Sequence, residues 1–204
     1  MRKVANRPLR LDRDRGETKV MHELADDQHA GNERISGRQT AMLAERKLAP
    51  VLDAISTDLR RFVARGGKLI LWHGWNDPAV SAYDTVDYYV RVVDALGSEA
   101  ARRAVRLFMV PGVEHGRGGP GTDQFGQFAG GTGDPERSVA AAMQRWVERG
   151  ISPECLIASR APDPKNAAAP ARTRPLCAWP LSACYRGTGS TDDAANFDCV
   201  NVRR

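Results

Sequence analysis

Lys68-Leu-Ile-Leu-Trp-His-Gly-Trp-Asn-Asp-Pro78 and Val105-Arg-Leu-Phe-Met-Val-Pro-Gly-Val-Glu-His115 are the two stretches that decide the fold of this chain. Each opens with a short apolar run, rich in residues that favour strands, and each run ends at a turn. Residues 81–96 lie between them and carry apolar side chains at helical spacing. Two strands joined by such a helix predict a right-handed βαβ unit with parallel strands, so the fold class is α/β.

Two polar side chains follow these predicted strands directly. Chemistry in open parallel sheets lies just past the carboxyl ends of the strands, which is where Asp77 and His115 fall. A carboxylate that accepts a hydrogen bond from one imidazole nitrogen fixes the tautomer of the ring and steadies its protonated form. Asp77 and His115 therefore suit the acid and base members of a catalytic triad, and they come in the order used by α/β-hydrolases.

Each of these residues also has a simpler interpretation. Asp77 lies between Asn76 and Pro78, a pattern typical of turns. His115 taken alone is more often a structural histidine. His73 competes as a candidate base, although its place before Gly-Trp favours a packed, wall-forming role.

The composition restricts the functional class. The chain has 204 residues, 42% of them hydrophobic, a formal net charge of +5 and four cysteines. It has no apolar run long enough to cross a membrane, and the basic charge comes without a nucleic-acid-binding motif, so we expect neither a membrane nor a nucleic-acid partner. The segment after Met1 lacks the apolar core of a signal peptide.

The chain divides into three parts by composition. Residues 1–49 predict a charged, loosely structured leader with a short helix over Thr40–Leu48 that stops near Pro50. His22 and His29 lack nearby carboxylate or cysteine ligands and do not indicate a metal site.

Residues 50–160 carry the predicted domain. Apolar residues from Leu52 to Val63 predict a helix with a last piece capped by Thr57, and Gly66-Gly67 ends it. Asp134 and Pro135 predict the start of a helix that ends at Arg149. The glycine-rich stretch between Pro111 and Asp134 predicts a long loop that is either functional or disordered, and no phosphate-binding motif accompanies it. Residues 161–204 predict a linker, up to residue 174, and an irregular tail.

Several motifs together resemble those of the tannase and feruloyl esterase family of α/β-hydrolases, over roughly Leu52 to Val202. The resemblance implies the C-terminal βαβα portion of an α/β-hydrolase fold. It also implies a secreted or periplasmic serine esterase that acts on ferulate, gallate or related aromatic esters without a cofactor, with Asp77 as triad acid and His115 as triad base. The motifs are Gly66–Pro78, Val86-Asp-Tyr-Tyr89, Arg106–Gly112 followed by His115, Gly118-Gly-Pro-Gly121, Thr173-Arg-Pro-Leu-Cys177 and Asp192–Cys199.

The chain departs from the family pattern at two places. Gly116 stands where the family has a cysteine bonded to one beside the nucleophile, so that bridge cannot form. The serines upstream of Asp77 are Ser36 and Ser56, and neither has the flanking glycines of a nucleophile elbow. We therefore expect the nucleophile, its strand and the lid with the family's calcium site to be absent from this chain, which should be inactive alone behind an unrelated leader.

The resemblance also places a cysteine at Cys177 and at Cys199, and it implies that they form a disulfide. Cys155, at the start of a predicted strand, and Cys184 should then be free thiols. Such a bond implies an oxidising compartment, in keeping with the family's export.

Two other functions are weighed beside the esterase. Two strands alone leave both sheet edges open, so an inactive remnant that binds a partner through a sheet edge is the first alternative. A metal-assisted hydrolase that uses His73, Asp77 and His115 is the second, although their spacing matches no zinc motif.

Overall fold

The computed structural model describes residues 37–128, 133–160 and 171–201. The chain divides into two units, Met1–Ala54 and Ile55–Arg204. The described part of the first unit consists of helix α1, Gly37–Leu52, which has no buried residue, and the two residues after it. The candidate metal ligands His22 and His29, Ser36 and most of the predicted leader lie outside the described residues.

Helix α1 is longer than the sequence predicts, because Pro50 does not end it. A proline removes the backbone donor of its own position and leaves the donors of later positions intact. The N–H of Asp53 accordingly donates to the carbonyl of Ala49 at 2.9 Å, which continues the helical pattern past the proline.

Helix α2 covers only Arg60–Ala64, so the helix predicted from Leu52 is wrong for residues 53–59. Leu59 and Val63 pack on the domain core, whereas Ile55 is exposed and lies outside any helix. Leu52 is exposed as well and is the last residue of helix α1. The expected cap by Thr57 is also wrong, since Leu59 is the N-cap residue.

Two glycines end helix α2 as predicted. The N–H of Gly66 donates to Val63 and the N–H of Gly67 to Phe62, at 2.9 and 3.1 Å. This is the Schellman pattern, and Gly66 takes the positive φ of 80° that the pattern requires.

The βαβ unit is confirmed. Strand β1 (Leu69–Gly74) and strand β2 (Val105–Val110) pair in parallel, from Leu69 opposite Val105 to Gly74 opposite Val110. The connection contains helix α3 (Ala82–Leu96), as predicted, and also helix α4 (Ser98–Ala104), which the sequence pattern did not predict. Strand β1 extends through His73 and Gly74, so His73 lies in the strand and not after it.

Strand β2 is the centre of the core, with all six residues buried. Its side chains alternate between two faces, as in any strand. Phe108 and Val110 pack with Phe125, Leu156 and their neighbours, whereas Leu107 and Met109 pack toward helix α3. The loop that carries His115 therefore follows directly from a strand that is buried on both faces.

Helix α5 covers Val139–Arg149, so the start predicted at Pro135 is wrong. Asp134 accepts a hydrogen bond from the N–H of Glu136 at 2.9 Å and shapes a turn instead of a helix cap. Ser138 is the N-cap residue, and its hydroxyl accepts from the N–H of Ala141 at 3.3 Å. Gly150 ends the helix in the left-handed conformation, as predicted.

The strand predicted to start at Cys155 is confirmed, whereas the expectation of an irregular tail after it is wrong. Strand β3 (Cys155–Arg160) pairs antiparallel with strand β4 (Arg172–Cys177), and strand β5 (Ser182–Tyr185) with strand β6 (Phe197–Val200). A single 3₁₀ turn (Ala194–Asn196) precedes β6. Strand β4 begins inside the predicted linker, the rest of which lies at residues 161–170, outside the described residues.

The disulfide between Cys177 and Cys199 is confirmed, with 5.6 Å between the Cα atoms. It joins the ends of strands β4 and β6, while Cys155 and Cys184 are free thiols, as expected. The tail also bonds to the core strand, because the N–H of Trp179 donates to the carbonyl of Leu107 at 2.8 Å. In the described residues, no helix has the length and apolar character needed to cross a membrane.

Candidate active site

The turn that carries Asp77 is bonded to the loop that carries His115. The N–H of Trp75 donates to Val110 at 2.9 Å, and the N–H of Asn76 donates to Val113 at 3.0 Å. These bonds extend the contact of the two parallel strands past their carboxyl ends. The two candidate residues are therefore placed relative to each other by backbone bonds.

Gly74 makes this approach possible. A Cβ atom at this position would lie 2.1 Å from the carbonyl oxygen of Val113 and 2.6 Å from that of Glu114. Both are backbone atoms, so a side chain could be admitted only if the His115 loop moved away. Position 74 therefore requires glycine, because the backbone of strand β1 lies too close to the backbone of Val113 and Glu114 to admit a Cβ atom.

The His115 loop is closed by hydrogen bonds within it and from strand β3. The N–H of Gly121 donates to Gly112 at 2.9 Å, and that of Gly118 donates to the carboxylate of Asp123 at 3.0 Å. Arg160, at the end of strand β3, donates to the carbonyls of Gly119 and Gly121. The glycine-rich composition thus serves a folded loop that is held together by backbone hydrogen bonds.

Asp77 and His115 are hydrogen-bonded, as the sequence predicts. The Nδ1 atom of His115 lies 2.8 Å from Oδ2 of Asp77. The Asp77 side chain is only 4% exposed, while that of His115 is 68% exposed. No described residue bonds the Nε2 atom of His115, so this nitrogen is open to a reacting group.

The surroundings of Asp77 favour its ionised form. Burial by itself raises the pKa of this carboxyl, but the N–H groups of Val80 and Ala79 and the imidazole of His115 together lower the pKa below its ordinary value. The two backbone donors reach Oδ1 at 3.0 and 2.8 Å. An anionic partner of this kind stabilises the protonated imidazole that forms when His115 takes a proton.

His73 also contacts Asp77, which sequence reasoning missed. Its Nε2 atom lies 3.1 Å from Oδ2 of Asp77, and its Nδ1 atom lies 2.6 Å from Oγ1 of Thr85 in the first turns of helix α3. With both ring nitrogens engaged and a side chain 12% exposed, His73 is a poor candidate for the base. No local pattern predicted this contact, because His73 lies in strand β1 and a four-residue spacing brings side chains together only on a helix.

The arrangement does not favour the metal alternative. Both histidines direct a ring nitrogen at the same carboxylate oxygen, Oδ2 of Asp77, as hydrogen-bond donors do. Within residues 37–128, 133–160 and 171–201, no group of three or more His, Cys, Asp or Glu side chains is arranged to hold a metal ion.

Ser56 does not lie in a strand–turn–helix elbow of the type that carries a nucleophilic serine. It is in the irregular segment before helix α2, and its carbonyl accepts a hydrogen bond from the hydroxyl of Tyr88 at 3.0 Å.

The comparison with known families matches the geometry. The family model described as "Tannase and feruloyl esterase" matches residues 21–200. This chain belongs to the tannase and feruloyl esterase family. The match begins upstream of Leu52, where the motif resemblance started, so the expectation of an unrelated leader is wrong from residue 21 onward.

Related proteins share the segment but are much longer. An uncharacterized esterase of Xanthomonas campestris is 43% identical over 179 residues, which cover 79% of this chain and 31% of that protein. A mono(2-hydroxyethyl) terephthalate hydrolase of Piscinibacter sakaiensis is 44% identical over 147 residues, which cover 72% of this chain and 22% of the hydrolase. The chain thus spans about a third or less of the length of these relatives.

Solved structures give the same result for the fold. The crystal structure of feruloyl esterase B from Aspergillus oryzae superposes with a TM-score of 0.68 at 25% identity, covering 81% of this chain and 33% of that one. An esterase of the same organism gives a TM-score of 0.66 at 28% identity, covering 82% of this chain and 34% of that one.

Proposed function

We propose that this chain is the acid- and base-bearing part of a serine carboxylic ester hydrolase. The observation that carries the proposal is the hydrogen bond from His115 to the buried carboxylate of Asp77, beyond the ends of two parallel strands. In this proposal residues 50–160 are the C-terminal part of an α/β-hydrolase domain, and residues 161–204 pack on it.

The proposed chemistry follows from the open nitrogen of His115. With Nδ1–H bonded to Asp77, the Nε2 lone pair takes the proton of a serine hydroxyl as its oxygen attacks the ester carbonyl. The same nitrogen then gives that proton to the departing alcohol, which leaves an acyl-enzyme. A water molecule, deprotonated by Nε2, releases the acid and restores the serine. Asp77 stays a carboxylate throughout, in keeping with its lowered pKa.

The nucleophile is the part that this chain lacks in recognisable form. No serine in the sequence is flanked by glycines two residues away on both sides. Loss of a triad member leaves only about 10³–10⁴-fold catalysis over water even where the oxyanion hole is intact. We therefore expect the chain alone to be inactive on aryl esters.

The proposed substrate class is a small aromatic ester, such as a ferulate or gallate ester. Relatives named as feruloyl esterases and a terephthalate-ester hydrolase support this class. An aromatic cluster around Trp75, two residues before Asp77 in the sequence, also supports it. The ring of Trp75 is in edge contact with that of Tyr83, at 5.4 Å between centroids, and is tilted against that of Trp179, at 6.2 Å. Aromatic side chains favour stacked or edge contacts with the flat ring of an aromatic acyl group.

The proposed location is an oxidising compartment outside the cytoplasm. The disulfide between Cys177 and Cys199 supports it, because such bonds persist in secreted and periplasmic proteins and are rare in the cytosol.

A chimera tests the proposal. The matching segment of the Xanthomonas campestris esterase is replaced by this chain, and hydrolysis of ferulate, gallate and p-nitrophenyl esters is measured. We expect turnover in the chimera that disappears with His115→Ala and that a serine-directed phosphonate blocks. The isolated chain should stay at background. A folded chimera without activity, or one that keeps its activity with His115→Ala, would contradict the proposal.

The alternative is an inactive module that binds a partner through a sheet edge. Strand β1 pairs only with β2 among the described strands, which leaves its other edge without a strand partner there. An active chimera would favour the esterase over this alternative.

A further inference from the structure

The acceptor capacity of Asp77 is completely used. A carboxylate offers about four lone-pair sites on two oxygens. Oδ1 takes the N–H groups of Ala79 and Val80, and Oδ2 takes ring nitrogens of His115 and His73. A carboxylate held by four donors from different directions cannot rotate without breaking one of them.

The donors differ in how firmly they are placed. His73 lies in strand β1, opposite Met109 of the buried strand β2, and its side chain is nearly buried. His115 lies on a loop with a mostly exposed side chain, and Asp77 is its one side-chain partner in the described residues. The nearly buried His73 can therefore orient the Asp77 carboxylate, and the carboxylate in turn orients the exposed ring of His115.

Asp77 determines which nitrogen of His73 carries the proton, and Thr85 bonds the other nitrogen. An ionised carboxylate only accepts hydrogen bonds, so Nε2 of His73 must donate to Asp77. In the neutral ring Nδ1 is then an acceptor, and the hydroxyl of Thr85, 2.6 Å away, donates to it. Thr85 thus donates to His73, and His73 donates to Oδ2 of Asp77. The same oxygen accepts the hydrogen bond from His115.

We propose that His73, whose second ring nitrogen is held by the hydroxyl of Thr85, is a positioning residue that fixes the Asp77 carboxylate in the orientation that binds Nδ1 of His115. Its part in catalysis rests on the proposed esterase function, whereas the hydrogen-bond relay can be tested without activity. The relay explains why a ring with both nitrogens engaged lies within reach of the candidate acid.

The tautomer of His115 reports on the relay in the chain as it stands. Nitrogen-15 NMR of the ring distinguishes an Nδ1–H tautomer from an Nε2–H tautomer. In the unchanged chain we expect His115 to have one dominant tautomer, with the proton on Nδ1. With His73→Phe the carboxylate loses a donor, and we expect His115 to become a mixture of both tautomers.

Conservative variants separate positioning from packing. The Nε2–H of glutamine lies close to the position of the histidine Nε2–H, so His73→Gln should restore the dominant tautomer. Thr85→Val keeps the shape of the side chain and removes the donor, so it should also produce a mixture, which Thr85→Ser should reverse. A merely structural role of His73 would not give this pattern.

The outcomes are decisive in each case. An unchanged His115 tautomer in folded His73→Phe, or in folded Thr85→Val if the phenylalanine variant does not fold, would overturn the proposal. In the chimera, His73→Phe should lower kcat by between about tenfold and the roughly 10⁴-fold that loss of acid function causes, with KM little changed. Tautomers that respond as expected in an inactive chimera would refute the esterase function and leave the relay intact.

Discussion

Replacing Gly74 with alanine should separate the Asp77 turn from the His115 loop. The new Cβ atom would lie 2.1 Å from the carbonyl oxygen of Val113, and ordinary contact begins at 3.4 Å, so the two atoms are about 1.3 Å too close. Because the clashing atoms are backbone, the loop must move by a similar distance. The 3.0 Å bond from Asn76 to Val113 is the first that this movement breaks.

The steric clash and the lost hydrogen bond together set the expected change in the free energy of unfolding. Overpacking in a close contact costs about 1–3 kcal/mol, and the lost hydrogen bond adds about 1 kcal/mol. We expect Gly74→Ala to lower the free energy of unfolding by about 2–4 kcal/mol, measured by urea denaturation of the isolated chain. The same shift should weaken the His115–Asp77 bond, and in the chimera a misplacement of about 1 Å costs about 10²-fold in rate.

Gly133→Ala is the matched control. Among the described residues, no atom lies within 4 Å of the position that an alanine methyl group would take at Gly133, which is not one of the glycines with a positive φ. Its replacement should therefore change the unfolding free energy by less than about 0.5 kcal/mol. Equal stabilities of Gly74→Ala and Gly133→Ala, with the His115 tautomer unchanged, would refute the reasoning.

Two further predictions concern the tail and the acid. Cys199→Ser removes a bridge between positions 22 residues apart, and in the chain-entropy model it should cost about 3 kcal/mol. Reduction with dithiothreitol should lower the urea midpoint of the unchanged chain to that of the variant and should not affect the variant; equal midpoints before reduction would contradict this. The pKa of Asp77 is lowered in the folded state, because the opposing effect of burial is outweighed by the N–H groups of Val80 and Ala79 and by His115. The stability that ionised Asp77 contributes is therefore present above its unfolded pKa of about 4 and is lost as the pH falls toward the folded pKa. Between pH 5 and pH 3 the unchanged chain should lose more unfolding free energy than Asp77→Asn, and parallel losses would show that Asp77 is not stabilised as described.

The elements predicted correctly depend on patterns within a few residues. Strand β2 has the predicted bounds, Val105–Val110, because an apolar run interrupted only by Arg106 is typical of a strand buried on both faces. Helix α3 begins after Ser81 and ends before Gly97, close to the signals in the sequence. Asp77 and His115 could be paired because parallel strands bring their carboxyl ends to one edge of a sheet.

The elements that were missed depend on partners distant in the chain. Strand β4 has the composition of a linker, since Arg172 and Pro175 are poor strand signals. Arg172 is satisfied by Asp192, whose carboxylate lies 2.8 Å away. Pro175 lies opposite Ile157, whose N–H points away from strand β4 and donates to the carbonyl of Glu136 at 2.7 Å. Because this pair exchanges no hydrogen bonds, the N–H that proline lacks is not needed between the two strands.

By itself, the sequence determined the βαβ unit, the order of acid and base and, through family resemblance, the disulfide. The tertiary structure alone decided what surrounds Asp77. His73 reaches the carboxylate because strand β1 runs two residues further than its apolar run, and Thr85 reaches His73 because helix α3 packs on that strand. Hydrogen bonds of this kind depend on how separate elements are placed in space, and local sequence patterns carry no record of that placement.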